Sequence, residues 1–239
     1  MIRTVIFDID DTLYNYKAGN EAGIAAVCGY LKEHFGLNEA YSAAAISEAQ
    51  RQQEARIGFA SAAIHDRLIR YQILLENENL PVIPHARVMD ELYWETLLAV
   101  MEAEAGVIPL IRALKEAGIR IGIGTNMTGR IQYVKLEKLG LADCIDFLVT
   151  SEEAGSEKPE ARFYRLLKAK ADAEPEECVF IGDSKTKDAE AARREGMIGL
   201  WYSAGKETKE PDSLIIRDFR DCLASDGIRL GDQLIPYKA

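Results

Sequence analysis

The stretch "FDIDDTLYNY", Phe7 to Tyr16, sets Asp8, Asp10 and Asp11 directly behind a short apolar run, "RTVI". Aspartates disfavour strands, and carboxylates crowded at a strand's end repel one another unless a positive group answers them. In an extended segment Asp8 and Asp10 point to one side and Asp11 to the other. Three more polar groups follow apolar runs: "TN" (Thr125, Asn126), "SEKPE" with Lys158, and "GDSKTKD" with Asp183 and Asp188. Singly, each has an ordinary reading, since Asp is a common turn former and Lys-Pro before a helix is a usual start signal. Jointly they suggest chemistry. Asp8, Asp10 and Asp183 would form an oxygen-only set with short side chains, which suits Mg²⁺, a cation that shares its other positions with water and substrate phosphate. Neither a metal ion nor a protonated Lys158 can attack phosphorus, so a carboxylate is the remaining nucleophile. Asp8, the first acid after the strand, can form an aspartyl-phosphate, which splits hydrolysis into two displacements.

These groups need a scaffold that gathers them. The alternation of short apolar runs with helical ones after Gly106 predicts β-α-β units around a parallel sheet. Strands are expected at Arg120 to Thr125, Cys144 to Thr150, Cys178 to Gly182 and Ile198 to Ser203, with helices near Gly129 to Leu139, Glu160 to Ala171 and Thr186 to Glu195. The first strand, Thr4 to Asp8, joins them, and "SLIIRDFRDCLASDG" reads as a last strand and helix. The polar groups then fall at the carboxyl ends of parallel strands, where the ligand crevice of an open α/β sheet lies. From Lys17 to Glu104 apolar residues recur at three and four, so this block reads as an insertion of about four helices. The expected division is a core of 1–16 and 105–239 and a helical domain of 17–104.

The 239 residues carry 29 Lys and Arg against 39 Asp and Glu, a net charge of -10. That balance argues against nucleic acid and anionic membrane as partners. Cys28, Cys144, Cys178 and Cys222 lie far apart, without zinc or redox spacing, and are expected as buried free thiols. The start lacks signal-peptide character and no run reaches membrane-spanning length, which points to the cytoplasm.

"DIDDT", "TN", "KP" and "GDSKTKD", in that order and with a helical insertion after the first, resemble the four motifs of the haloacid dehalogenase (HAD) superfamily. The insertion resembles its C1 cap. The resemblance implies a doubly wound parallel α/β sheet, a Rossmann-like HAD core carrying the cap. It implies Asp8 as nucleophile and Asp10 as the acid that protonates the leaving oxygen and then the base that activates water. It further implies Mg²⁺ held by Asp8, the backbone carbonyl of Asp10 and Asp183, with Thr125, Asn126 and Lys158 on the phosphoryl oxygens. Asp188 would steady the metal's waters or orient Lys158, while Lys187, beside it, would point to solvent.

Dehalogenases of the superfamily typically lack the second Asp, because a halide needs no proton, so Asp10 indicates a phosphatase of small phosphorylated metabolites. The nucleotidase and phosphoglycolate phosphatase branch is the most similar. A phosphomutase keeps both aspartates and is the alternative, as is a non-catalytic binding protein on the same fold. "GIRIGIGTNM" lacks the third glycine of a dinucleotide fingerprint, which sets a nicotinamide enzyme aside. Tyr14, Tyr16, Arg56, His65 and Arg67 are candidates for the mouth of the cap.

Overall fold

Thr4–Phe7 (β1) is buried along its whole length, and the hydroxyl of its one polar residue, Thr4, donates to the Ala171 carbonyl at 3.0 Å. A strand covered on both faces needs no polar alternation, which is why "TVIF" reads as a continuous apolar run. The computed structural model describes residues 1–209 and 211–237, and the chain divides into two units, Met1–Asn15 with Glu102–Ala239, and Tyr16–Met101.

In the first unit, β1 is joined by Arg120–Thr125 (β2), Phe147–Thr150 (β3), Cys178–Gly182 (β4), Ile198–Tyr202 (β5) and Ile215–Ile216 (β6). They form one parallel sheet in the order β3-β2-β1-β4-β5-β6. After β3 the chain crosses back over β1 to place β4 on its other side. Loops diverge at that reversal of strand order, and the carboxyl ends of β1 and β4 open a crevice.

The crossovers are Val107–Glu116 (α5), Gly129–Lys138 (α6), the short Ser151–Ala154 (α7), Ala161–Ala171 (α8) and Glu190–Arg194 (α9), the last entered through a wide helical turn over Lys185–Ala189. α5 buries Val107, Leu110, Ile111 and Leu114, one stripe of an amphipathic helix. α8 turns Phe163, Tyr164, Leu167 and Ala171 into a core cluster with Ile6, Val149 and Phe180.

β3 begins three residues later than the apolar run suggests. Ala142–Cys144 is a single helical turn, and the Asp146 carboxylate accepts the Ile121 N–H at 2.7 Å, a side chain standing where strand pairing would otherwise begin. The chain after β6 also differs from the expected helix. Phe219–Cys222 is one turn, followed by a three-stranded antiparallel sheet of Leu223–Ala224 (β7), Gly227–Leu230 (β8) and Gln233–Ile235 (β9). Asp226-Gly227 and Gly231-Asp232 supply turn chemistry between short strands. Phe219 stacks on Tyr202 at 4.3 Å and anchors this segment to the core.

The second unit contains Tyr16–Phe35 (α1), Glu39–Ile57 (α2), Arg67–Asn77 (α3) and His85–Ala99 (α4). A Cβ on Gly19 would stand 2.8 Å from Leu97, and one on Gly23 2.6 Å from the Tyr93 ring, so these glycines allow α1 and α4 to approach closely. Asp66 caps α3 by accepting the N–H groups of Leu68 and Ile69. No helix among the described residues is long and apolar enough to cross a membrane. Cys28, Cys178 and Cys222 are buried free thiols, and Cys144 is half-buried.

Candidate active site

Asp8 continues the line of β1, its N–H donating to the Ile181 carbonyl at 2.9 Å, and its side chain is buried at the strand's end. The chain then turns sharply: the N–H groups of Thr12 and Leu13 both donate to the Ile9 carbonyl, and Asp11 takes a left-handed φ of 56°. This turn brings the Thr12 hydroxyl beneath the Asp183 N–H at 2.9 Å, tying the end of β1 to the end of β4. Asp183 is fixed from its other side by the Trp201 indole, which donates to its carbonyl at 2.8 Å.

Gly182, the last residue of β4, is required by Asp188. A Cβ there would lie 2.4 Å from Asp188 Oδ2, so only glycine leaves space for the carboxylate. Asp188 Oδ2 in turn accepts the Ser184 N–H at 2.9 Å. Asp8, Asp183 and Asp188 thus converge, with ligand oxygens within 4.8 Å of one another.

Lys158 answers this charge. Its buried ammonium meets Asp8 Oδ1 at 2.8 Å, Asp188 Oδ1 at 2.7 Å and the Gly124 carbonyl at 3.1 Å, one acceptor for each of its protons. The Asn126 carboxamide holds the Lys158 backbone N–H at 2.8 Å. Asn126 therefore acts on Lys158 through its side chain, and Thr125 is buried with its hydroxyl accepting from Gln132 Nε2 at 2.8 Å.

The protonation states follow from this crowding. Burial, with the charges of Asp188 and Asp183, raises Asp8 to about 7 against the opposing pull of Lys158. Asp183 is raised to about 6 by burial and Asp188, with Asp11 adding to it. Burial would lower the Lys158 ammonium, yet Asp188 and Asp8 outweigh it and drive its pKa upward. Three carboxylates facing one ammonium carry surplus negative charge, and they form an all-oxygen set that could hold a divalent cation.

Asp10 is handled differently from the extended-segment expectation. Its carboxylate is not among the three that converge, and Asp188 takes the place expected for the Asp10 side chain. Asp10 Oδ1 instead accepts from Lys135 Nζ at 2.6 Å and from the Tyr14 hydroxyl at 2.5 Å, and Oδ2 accepts from Gln132 Nε2 at 3.1 Å. Burial raises this carboxyl, but Lys135 and the hydrogen bonds from Lys135, Tyr14 and Gln132 prevail and hold it below the usual carboxylate range.

Tyr14, expected at the mouth of a cap, is wholly buried against Asp10. In the helical unit Arg67 is buried too, donating to the His65 carbonyl at 2.8 Å, to the Tyr16 hydroxyl at 2.5 Å and to the Tyr93 hydroxyl at 3.3 Å. Arg56 is exposed, and His65 and Tyr16 are half-buried. Lys187 is exposed, as its solvent reading required.

Gln132 and Lys135 escaped the sequence reading. Both lie on α6, at positions in register with Leu136 and Leu139, so they share the stripe that faces the core. Two polar residues in a core stripe were the available signal.

The sheet's strand order is that of a Rossmann-like α/β fold, and its switch point gathers three carboxylates around one buried lysine. A family model described as haloacid dehalogenase-like hydrolase matches residues 2–196, and the chain belongs to that family. It is 33% identical over 220 residues to a ribulose-1,5-bisphosphate 5-phosphatase of Halopiger xanaduensis, covering 89% of this chain and 90% of the relative. It is 31% identical to a glyceraldehyde 3-phosphate phosphatase of Methanopyrus kandleri, covering 86% of each. Among solved structures, a HAD phosphatase from Thermococcus onnurineus superposes with a TM-score of 0.69 at 22% identity, covering 92% of this chain and 95% of that one.

Proposed function

We propose that this HAD-family phosphoric monoester hydrolase transfers the phosphoryl group of a small phosphorylated metabolite to Asp8 and then to water. The observation that carries the reading is the convergence of Asp8, Asp183 and Asp188 on Lys158, with a fourth carboxylate, Asp10, held close in sequence but by other partners.

Lys158, saturated with acceptors, stays charged, keeps Asp8 in place and offsets charge on the phosphoryl oxygens. Asp188 and Asn126 orient Lys158, while Thr125 and the backbone of Asn126 line the phosphoryl site. In the first displacement an oxygen of Asp8 bonds to phosphorus as the ester oxygen leaves, taking a proton from Asp10. In the second, Asp10 removes a proton from water, which attacks phosphorus and frees Asp8. Mg²⁺, held by Asp8, Asp183 and the backbone carbonyl of Asp10 and steadied by Asp188, would supply further neutralisation of the phosphoryl oxygens.

The helical unit would serve as the C1 cap that selects the leaving group. The relatives named for ribulose bisphosphate and glyceraldehyde 3-phosphate favour phosphorylated sugars over nucleotides as substrates. A panel of sugar phosphates, phosphoglycolate and nucleoside monophosphates, assayed with and without Mg²⁺, tests this. Turnover should require the ion and be highest for a phosphosugar; metal-independent turnover, or preference for nucleotides, would overturn the corresponding part.

A further inference from the structure

Asp10 must give a proton to one oxygen and take one from another without drifting into the acidic trio beside it. Three donors bear on how it does so. Lys135 Nζ and the Tyr14 hydroxyl both donate to Oδ1, at 2.6 and 2.5 Å, whereas Oδ2 accepts, among the described residues, one hydrogen bond, from Gln132 Nε2 at 3.1 Å. Lys135 is a fully buried lysine, its ammonium 5.6 Å above the Tyr14 ring, and Gln132 is fully buried and also donates to Thr125 at 2.8 Å. Lysines are rarely buried without a specific task, since removing the ammonium from water is costly unless it is paired. The Asp10 side chain itself remains 21% exposed, so the three donors do not enclose it.

We propose that Lys135, Tyr14 and Gln132 are positioning residues for Asp10, fixing Oδ1 and leaving Oδ2 as the oxygen turned to the reacting group. Oδ1 is occupied by two strong donors and offers little basicity to a third. Oδ2, with one weaker bond, keeps a lone pair for the proton. Gln132 bridges Oδ2 to Thr125, whose chain neighbour Asn126 holds Lys158, so hydrogen bonds and one peptide link connect Asp10 to the segment that positions Lys158. In the first displacement the Oδ2–H bond breaks as the leaving oxygen gains that proton and the phosphorus–ester bond opens. In the second, Oδ2 regains a proton from water as water bonds to phosphorus and the Asp8–phosphorus bond opens, leaving inorganic phosphate. The inference rests on Asp10 as acid and base.

A device that acts through Asp10 has a signature a merely structural one lacks. A poor leaving group such as an alkyl alkoxide needs the proton, and 2,4-dinitrophenolate does not. In Lys135→Met, which keeps a long apolar stem in a buried slot, we expect kcat for alkyl phosphomonoesters to fall by about 10²-fold with KM within about twofold. The single-turnover burst of dinitrophenol from 2,4-dinitrophenyl phosphate should change by less than about threefold, because only the later water step depends on Asp10. Tyr14→Phe removes one hydroxyl and no packing volume, so it tests the same selectivity, at about tenfold on the alkyl ester, even if Lys135→Met does not fold. Equal losses on both leaving groups, a change confined to KM, or no change would overturn the inference. Failure of the parent reading is distinct: it would appear as absence of phosphatase activity in the unsubstituted enzyme.

Discussion

Two buried lysines stand at the end of this sheet and treat their aspartates in opposite ways. Lys158 divides its ammonium between Asp8 and Asp188, with Asp183 nearby, and burial leaves Asp8 raised to about 7. Lys135 joins Tyr14 and Gln132 on the single carboxylate of Asp10, which falls below its ordinary range. The ratio of donors to acids decides the difference, since burial alone raises all these carboxyls. Where one ammonium faces three acids, a cation can still be accepted; where three donors face one acid, the donors fix that acid's orientation. Two carboxylates two residues apart thereby acquire separate tasks.

The sharpest way to break this contrast is to remove the nucleophile. Asp8→Asn should lower kcat by on the order of 10⁴-fold or more while circular dichroism stays native, because one amide replaces one carboxylate of nearly equal size. Retained turnover in a steady-state assay would contradict the assignment.

Next in size is Lys158→Met, which leaves Asp8 and Asp188 buried without their ammonium. It should cost about 3–5 kcal/mol of stability in denaturant melts, as expected when one partner of a buried ion pair is removed. Mg²⁺ should recover part of that loss, since it replaces the missing positive charge; in Lys135→Met, whose acidic trio is intact, it should stabilise no more than it does in the wild type.

A smaller effect separates the two carboxylates by pH. Asp8 at about 7 and Asp183 at about 6 lie above the unfolded value of 3.8, so the folded, metal-free protein holds protons that the unfolded chain releases. Their contribution is favourable below pH 3.8 and is lost as pH rises through about 6 to 7, so chelator-treated protein should lose stability across that window. Asp10 has the reverse sign: its lowered value adds stability above the ordinary carboxylate range that disappears only in stronger acid. Denaturant midpoints between pH 4 and 8 should fall with pH for the wild type and be flatter for Asp8→Asn; an equal slope in both would remove Asp8 as the cause.

The sequence made one of these regions legible and concealed the other. Asp8, Thr125, Asn126 and Asp183 end or directly follow apolar runs, Lys158 and Asp188 lie in the segments that come next, and the sheet's topology brings these segments to one edge. Gln132 and Lys135 lie inside a helix whose polar residues look like a solvated face until the spacing to Leu136 and Leu139 is compared. Tyr14 is a candidate for the cap's mouth by sequence, where packing is the commoner fate of a tyrosine, and the turn at Ile9 brings its hydroxyl back to Asp10. The C-terminal sheet was missed because β7 and β9 are two and three residues long, too short for a period of two to register, although Asp226-Gly227 was a fair turn signal.

The most direct test is to find the phosphoryl group on the protein. Enzyme mixed with Mg²⁺ and a rapidly reacting phosphomonoester, then quenched in acid within a turnover and mapped by peptide mass spectrometry, should carry one phosphoryl group on the peptide containing Asp8. Borohydride should convert that residue alone to the reduced alcohol. Label on any other side chain, or a product burst with no phosphorylated peptide, would contradict Asp8 as the group that bonds to phosphorus.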